Sequence, residues 1–315
     1  MRIARFLKNP ALGNALPIIG LILLMLAYAA FRKPGFISTT NSFNLIRLAA
    51  PLGIICIGQT LAILTGGVDL SVGSVAILTN VVAANIMQGQ NANNPKALLA
   101  CLAIAVAVGL ANGIAVAWVK INPFVITLAM SIVTLGAALV YSGGAGGGAA
   151  SPLVKYLGVG AFMNLPVAAL IWFLMTALTL FLLHFTTLGR KIYAVGANKK
   201  TARLSGVNVS LILILVYILS AVAAMAAGLV VTGNMGVGTL EWGFDYRLIS
   251  MAAVIMGGTS FAGGRGGYVS SFLAAVALIL LSSILTFEQM HEAWRQVIYG
   301  GVILFSLWFS TRKNQ

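Results

Sequence analysis

The sequence predicts an all-α membrane protein, a polytopic bundle of transmembrane helices that forms a single domain over residues 1–315. Three observations predict this class. Hydrophobic residues make up 60% of the chain and charged residues only 8%, the mean hydropathy is +1.02, and the apolar residues are gathered in runs long enough to cross a bilayer. The main solvent of such a chain is lipid.

Apolar stretches divide the chain into about ten candidate spans, since a spanning helix needs roughly 20 largely apolar residues. The third and the eighth are short and rich in small or polar residues. Eight or nine full spans with re-entrant pieces are therefore the alternative. The predicted spans are residues 15–31, 45–65, 72–88, 97–119, 123–142, 165–184, 211–232, 248–262, 267–286 and 294–310.

The basic residues predict the orientation of these spans. If both termini are cytoplasmic, the inner segments carry more Lys and Arg than the outer ones, as the positive-inside tendency requires. Arg32, Lys33 and Arg47 in the first outer loop run against this bias. The formal charge of +14 therefore reflects membrane orientation and not nucleic-acid binding, because the cations lie in short gaps between apolar runs. No cleavage site follows the basic start, so the first span is expected to be retained.

Asp69 is the only acidic residue before Glu241, and it lies between two predicted spans in the run Gly66-Gly67-Val68-Asp69-Leu70-Ser71-Val72-Gly73-Ser74. A charge buried among membrane spans costs at least roughly 2.5 to 3.5 kcal/mol, so this carboxylate needs partners. We expect it to cap the third span by accepting from the backbone N–H of Ser71 or Val72. Substrate or proton chemistry is the alternative role.

The longest predicted cytoplasmic connection runs from about residue 186 to 210. Its part from Ala197 to Ser205 favours a short charged helix, with Gly206 well placed as the C-terminal stop. Such a helix suits docking on a partner protein. A basic segment held by anionic lipid is the alternative.

Several chemistries have no support in the sequence. The chain carries no phosphate-binding Gly-x-x-x-x-Gly-Lys-Ser/Thr loop and no grouping of nucleophile, base and acid, so we expect neither ATP hydrolysis nor other enzyme activity. Cys56 and Cys101 lie in apolar spans and are expected to be buried hydrophobes. Glu288, His291 and Glu292 could share a helical face, but a solvated outer loop explains them, and no metal site is predicted.

Several motifs occur in order along nearly the whole chain. They are the run from Gly66 to Ser74, the stretches Gly109-Leu110-Ala111-Asn112-Gly113 and Asn122-Pro123-Phe124-Val125-Ile126-Thr127-Leu128, the loop from Gly189 to Asn208, and Gly257-Gly258-Thr259-Ser260 with Gly263-Gly264-Arg265-Gly266. Together these motifs resemble the ribose-type permease family, the membrane subunits of bacterial ATP-binding cassette (ABC) importers for monosaccharides.

The resemblance implies an inner-membrane permease that pairs with a second copy or a homologue and receives sugar from a periplasmic binding protein. Two cytoplasmic ATPase subunits would drive it and would bind the ATP and Mg²⁺, while this chain would bind no cofactor. The residues assigned to the ATPase-coupling loop are Gly189, Arg190, Ala194, Gly196, Asn198, Ala202, Ser205 and Gly206, and those assigned to a signature hairpin are Gly66, Gly67, Asp69, Ser71 and Gly73.

Polar and aromatic residues inside the apolar spans are candidates for the solute pathway. Gln59, Asn112 and Thr127 could supply neutral donors and acceptors for sugar hydroxyls, and Phe124 could stack on a sugar ring. The alternative role for the polar residues is hydrogen bonding between helices, which is common in membrane bundles.

The expected substrate is ribose or another aldose, with other sugars, nucleosides and sugar derivatives as alternatives. An ion-coupled secondary transporter is the main competing function. It should carry coupling carboxylates within the membrane, and Asp69 is the one candidate in the sequence. An intramembrane enzyme would need clustered His, Asp or Glu at membrane depth, and the sequence has no such cluster.

Overall fold

The computed structural model describes residues 10–32, 35–243, 245–291, 293–295, 297–298 and 300–301. Helices dominate, joined by one short antiparallel hairpin of β1 (Ala161–Phe162) and β2 (Leu165–Pro166). The helices are α1 (Pro10–Arg32), α2 (Thr39–Leu64), α3 (Val72–Met87), α4 (Asn94–Ile114, continued by a π turn), α5 (Pro123–Ser142), α6 (Pro152–Val159), α7 (Val167–Phe185), α8 (Thr187–Ala197), α9 (Lys199–Leu204), α10 (Val209–Met235), α11 (Tyr246–Met256) and α12 (Tyr268–Phe287).

The predicted all-α polytopic class is confirmed. Within the described residues, seven helices are long and apolar enough to cross a membrane, namely α1, α2, α4, α5, α7, α10 and α12. The predicted spans 72–88 and 248–262 are shorter helices, α3 with 16 residues and α11 with 11. At 1.5 Å per residue α11 is about 17 Å long, roughly half the thickness of the hydrocarbon core. This length favours the alternative with re-entrant pieces.

The number of full spans and the side of each terminus stay predictions. The predicted span 294–310 falls mostly on residues outside the described ones, as does the basic N-terminal segment. Glu288, which was considered as part of a metal-like cluster, accepts from Arg32 of α1 at 3.3 Å in an ion pair. Glu292 lies outside the described residues.

Helix α10 is the central element and packs against α2, α3 and α4. Its contact with α4 depends on two glycines four residues apart. A Cβ on Gly109 would lie 2.6 Å from Cα of Ile218, and a Cβ on Gly113 would lie 2.6 Å from Cα of Ile214. These distances are too short for any side chain, so the two glycines set the separation of α4 and α10, as small residues do in membrane bundles.

A second packing centre joins α2, α7 and α12. The buried indole of Trp172 donates from Nε1 to the hydroxyl of Tyr268 at 2.7 Å, and that hydroxyl donates to the carbonyl of Gly53 at 2.6 Å. Trp172 also stacks on Phe272 with 4.1 Å between ring centroids. The polar atoms of both large aromatic residues are thereby satisfied inside the bundle, as burial of such groups requires.

Two irregular segments join helices of the bundle. Residues 65–71 connect α2 to α3, and residues 236–245 connect α10 to α11. The second segment follows α3 from its C-terminal end toward its start, because a Cβ on Gly238 would lie 3.0 Å from Cα of Val81 and one on Gly243 would lie 3.1 Å from the side chain of Ile77. Irregular backbone is tolerated at membrane depth only where protein buries it or water lines it.

We predict that Gly109→Ala destabilises the protein, because the added methyl group meets backbone atoms of α10 that cannot move aside. The expected cost is about 1–3 kcal/mol, measured as a lower midpoint of thermal unfolding in detergent. Gly136→Ala on α5 is the matched control, since no atom lies within 4 Å of a Cβ there. Equal midpoints for the two variants would contradict this account of the α4–α10 contact.

Candidate functional site

Asp69 lies at the centre of a buried hydrogen-bond network. Its Oδ1 accepts from the backbone N–H of Ser71 at 2.9 Å and from the Ser71 hydroxyl at 2.6 Å, and its Oδ2 accepts from the Ser220 hydroxyl at 2.7 Å. All three residues are fully buried. Three donors compensate the loss of water around the carboxylate, whose burial would otherwise be costly.

The predicted hydrogen bond from the N–H of Ser71 is confirmed, with one correction to its geometry. Ser71 itself occupies the position before α3 and makes no capping bond with its side chain. Asp69 lies two residues earlier, so its carboxylate closes a local turn ahead of the helix and does not cap the first helical turn. The role of Asp69 is thus to shape the hairpin from which α3 begins.

Two of the predicted pathway residues contact this hairpin. Asn112 of α4 donates from Nδ2 to the Ser71 hydroxyl at 3.0 Å, and the Thr127 hydroxyl of α5 accepts from the backbone N–H of Leu70 at 3.0 Å. Both side chains are buried. Their contacts are hydrogen bonds between segments of the bundle, which was the alternative role, and contact with a solute stays a prediction.

Tyr217 and Ser220 of α10 are the contacts that sequence reasoning missed. The Tyr217 hydroxyl donates to the carbonyl of Val68 at 3.2 Å, and a Cβ on Gly67 would lie 2.6 Å from that hydroxyl oxygen. The two residues are three apart and so share one face of α10. Tyr217 and Ser220 are the two polar side chains within the apolar stretch of α10 from Leu211 to Val231. They were the available signal, but their partner could not be named without the fold.

The other predicted pathway residues have fewer contacts. Gln59 of α2 is fully buried, and among the described residues neither its Oε1 nor its Nε2 has a hydrogen-bond partner. Phe124 lies in the first turn of α5 and is 47% exposed. A pathway role for both stays a prediction.

Three glycine-rich motifs, distant in sequence, meet at the end of α2. The backbone N–H of Gly264 donates to the carbonyl of Leu64 at 2.9 Å. A Cβ on Gly263 would lie 2.8 Å from the N of Gly66 and 3.0 Å from the O of Gly196. We call these residues, Leu64, Gly66, Gly196, Gly263 and Gly264, the glycine junction. Backbone touches backbone there, which glycine alone permits.

The predicted short helix in the long connection is confirmed as α9, and Gly206 follows it with φ +80°. Asn198 begins this helix, since its Oδ1 accepts from the backbone N–H groups of Lys200 and Thr201 at 2.9 and 3.0 Å. Helix α8, before Asn198, was not predicted. The assigned loop is therefore a pair of short helices.

Helix α8 is also held to the glycine-rich loop after α11. The Tyr193 hydroxyl donates to the carbonyl of Gly266 at 2.9 Å. Burial raises the pKa of Tyr193, so the hydroxyl stays protonated and able to donate at physiological pH. This bond and the glycine junction fix α8 against the bundle at two points.

The two sides of the α8–α9 pair differ in character. Gly189, Ile192, Val195 and Ala202 are buried against the bundle. The opposite side is exposed and basic, with Leu204 81% exposed among the cations. The exposed residues of this side include Arg190, Lys191, Ala194, Asn198, Lys199, Lys200, Arg203, Ser205 and Gly206.

A bundle of apolar helices of spanning length, with a polar buried hairpin and a surface helix pair attached to it, is the architecture of a polytopic membrane protein. Comparison with known sequences identifies the family. The permease component of branched-chain amino acid transport systems is the family whose profile matches, over residues 41–307. The chain belongs to this permease family and is a multi-pass protein of the inner membrane.

The chain is similar to curated sugar permeases over nearly its full length. The ribose import permease of Escherichia coli strain K12 is 34% identical over 297 residues, which cover 93% of this chain and 92% of the relative. The ribose import permease of Bacillus subtilis is 32% identical, with 95% and 92% covered. The galactose/methyl galactoside import permease of Salmonella typhimurium is 32% identical, with 91% and 90% covered. No solved structure matches the chain.

We predict that Asp69→Ala and Asp69→Asn separate strongly in stability. Alanine leaves the N–H and hydroxyl of Ser71 and the Ser220 hydroxyl without their acceptor, at a cost of about 3 kcal/mol or more. Asparagine keeps an acceptor for Ser71, and its amide can donate to the Ser220 oxygen, so most of the stability should remain. The midpoint of thermal unfolding in detergent measures the stability of both variants. Equal losses for both would show that the charge itself, and not the hydrogen bonding, holds the hairpin.

Proposed function

We propose that this chain is the membrane subunit of an ABC importer that carries a monosaccharide, ribose or a close relative, into the cell. The observation that carries the proposal is the glycine junction, which attaches an exposed helix pair directly to the buried hairpin. The ribose and galactose import permeases among the relatives support the sugar assignment.

The α8–α9 pair would receive the movement of the ATPases. At the glycine junction α8 contacts Leu64, the last residue of α2, and the chain continues from there into the hairpin that carries Asp69. Packed backbones cannot absorb a shift locally, because protein interiors have few voids. A displacement of α8 would therefore be passed to the start of α3, and the bundle would change between outward-open and inward-open arrangements.

The remaining partners follow from this role. Two ATPase subunits would bind the ATP and Mg²⁺, a periplasmic binding protein would deliver the sugar, and a second copy or a homologue would complete the permease pair. This chain itself would need no cofactor and no enzymatic activity. The exposed cations of α8 and α9 favour an ATPase surface that is acidic around a pocket for Leu204.

Ion-coupled transport is the second candidate, and the Asp69 network disfavours it. A coupling carboxylate must exchange its ion or proton with water on each side in turn. Asp69 is fully buried, and both of its oxygens are engaged by donors that hold the hairpin. A structural role accounts for the carboxylate without any coupling ion.

We predict that a tagged chain, extracted gently from native membranes, is recovered together with an ATPase. The Leu204→Glu variant should lower the amount of ATPase recovered at least about tenfold. A central apolar anchor is typically worth 2 kcal/mol or more at an interface, and glutamate in its pocket would add an unpaired charge. Mass spectrometry of the purified material measures the recovery.

Lys155→Glu on α6 is the matched control for this experiment. Lys155 is exposed on a short helix that the predicted topology places on the outer side, so ATPase recovery should not change. A chain that purifies alone and transports ribose without ATP would refute the importer proposal. If Leu204→Glu left the recovery of the ATPase unchanged, Leu204 would not be an anchor for the ATPase. Binding to anionic lipid would then explain the basic α8–α9 segment.

A further inference from the structure

A glycine-rich segment between α5 and α6 is held by its backbone to the chain that leaves α10. This segment, residues 146–150, consists of three glycines followed by two alanines, and we call it the strap. The N–H of Gly147 donates to the carbonyl of Gly238 at 2.9 Å, and the N–H of Gly238 donates back to Gly147 at 3.0 Å. The N–H of Ala150 donates to the carbonyl of Gly236 at 2.8 Å. The strap is thereby attached to the start of the irregular segment 236–245.

The strap also lies on the C-terminal end of α3. The N–H of Ala149 donates to the carbonyl of Ala84 at 3.0 Å, and the N–H of Gly89 donates to the carbonyl of Ala149 at 2.9 Å. A Cβ on Gly148 would meet the carbonyl group of Ala84, so the backbone of the strap touches the backbone of the helix. The strap therefore ties the end of α3 to the chain that leaves α10.

The contact between the strap and α3 is one that can open while the bundle stays folded. Residues 146–149 are only partly buried and carry at most a methyl group, so little apolar surface is exposed when they leave the helix. Segments with few buried apolar contacts open locally at the lowest free energy. One turn below, Asn80 is fully buried, and its side chain holds Thr239 at 2.8 Å and Thr232 at 2.9 Å. The irregular segment is therefore anchored independently of the strap.

The irregular segment below the strap is suited to line a water-filled route. Its Gly243 lies beside Ile77, in the middle of α3, and irregular backbone at membrane depth is tolerated only where protein buries it or water lines it. Glu241 and Asp245 are exposed on this segment. Carboxylates at membrane depth are expected to face a water-filled cavity or a protein partner. The strap thus lies at the outer end of a segment that is unsuited to contact with lipid.

Helix α3 connects the strap to the Asp69 hairpin. It begins directly after the hairpin and ends under the strap, and its 16 residues make it about 24 Å long at 1.5 Å per residue. The predicted topology places the hairpin on the cytoplasmic side and the strap on the outer side. Because a helix is stiff along its axis, a displacement of the start of α3 also displaces its end.

We infer that the strap is an outer gate, which closes the bundle in this arrangement and leaves the end of α3 when a solute enters from the outer side. A displacement of α8 moves the start of α3, and the movement of the other end of α3 breaks the bonds of Ala149 to Ala84 and Gly89. The opening lies above Asn80 and leads to the irregular segment. The inference rests on the proposed function, because the ATPases supply the displacement.

A reversible cross-link tests whether uptake requires release of the strap. A Cβ on Gly89 would lie 3.8 Å from the Cβ of Ala149, within the range of about 3.5 to 4.5 Å found in disulfides. Gly89→Cys and Ala149→Cys are combined in a chain whose two native cysteines are replaced by alanine. The complete transporter, with its ATPase and binding protein, is studied in proteoliposomes with radiolabelled ribose and galactose as probes.

Oxidation of this double variant should lower sugar uptake at least about tenfold, because a closed gate stops every transport cycle. A reductant should restore uptake to the level before oxidation. The two single-cysteine variants are the matched controls, and their uptake should not change on oxidation.

A second measurement does not depend on uptake. Asn85→Cys, in the same cysteine-free chain, places a thiol at the end of α3, where Asn85 is partly buried and lies 4.0 Å from a Cβ on Gly147. Gly148→Ala adds a methyl group that meets the backbone of Ala84, and it should raise the reaction rate of this thiol with a charged methanethiosulfonate reagent at least about fivefold. Gly144→Ala is the matched control. Gly144 also has a positive φ, +83° beside +71° at Gly148, but no atom lies within 4 Å of a Cβ there.

The outcomes separate this inference from the proposed function. A wild-type transporter that hydrolyses ATP but takes up neither ribose nor galactose refutes the monosaccharide assignment, and the thiol reaction then still tests the strap. Full uptake by a double variant whose disulfide is shown by mass spectrometry overturns the outer gate alone. A loss of uptake that the reductant does not reverse also overturns it, since the two positions are then structural. Equal thiol reaction rates with Gly148→Ala and Gly144→Ala do the same.

Discussion

The rest of this structure depends on the hydrogen bonds that surround Asp69. Asp69 is a buried carboxylate in a chain with 60% hydrophobic residues, and it would oppose folding if it were unpaired. It accepts hydrogen bonds from Ser71 and Ser220 and so joins the irregular hairpin to α10. Asn112 and Thr127 add the contacts from α4 and α5. The start of α3 is therefore positioned by directional polar contacts, which add to the non-directional apolar packing of the bundle.

Glycine provides the second constraint, because it lets the backbones of neighbouring segments meet. Gly109 and Gly113 bring α4 against α10, and the glycine junction brings α8 against the end of α2. Only Gly67 and Val68 separate Gly66 of the glycine junction from Asp69. The surface helix pair and the buried network are thus parts of one continuous chain of contacts.

The sequence predicted the parts of this arrangement that are local. Long apolar runs indicated the spanning helices, Gly206 was placed where α9 ends, and the position of Asp69 two residues before Ser71 predicted their hydrogen bond. Contacts between distant segments could not be predicted, since nothing in the sequence around Ser220 indicates Asp69, and nothing around Gly263 indicates Gly66. Hydropathy also predicted a longer helix, over residues 248–262, than the 11 residues of α11, because an apolar run reports burial and not the length of a helix.

We propose that α8 and the Asp69 hairpin move as a unit, because they touch at Gly196. A Cβ on Gly196 would meet the carbonyl of Leu64, whereas the nearest atom to a Cβ on Gly267 is 3.5 Å away. The most direct measurement is sugar uptake and ATP hydrolysis by the complete transporter carrying Gly196→Ala or Gly267→Ala. We expect the Gly196→Ala transporter to hydrolyse ATP but to lose most uptake, at least about tenfold, and the Gly267→Ala transporter to resemble the wild type. Full uptake with Gly196→Ala would contradict it.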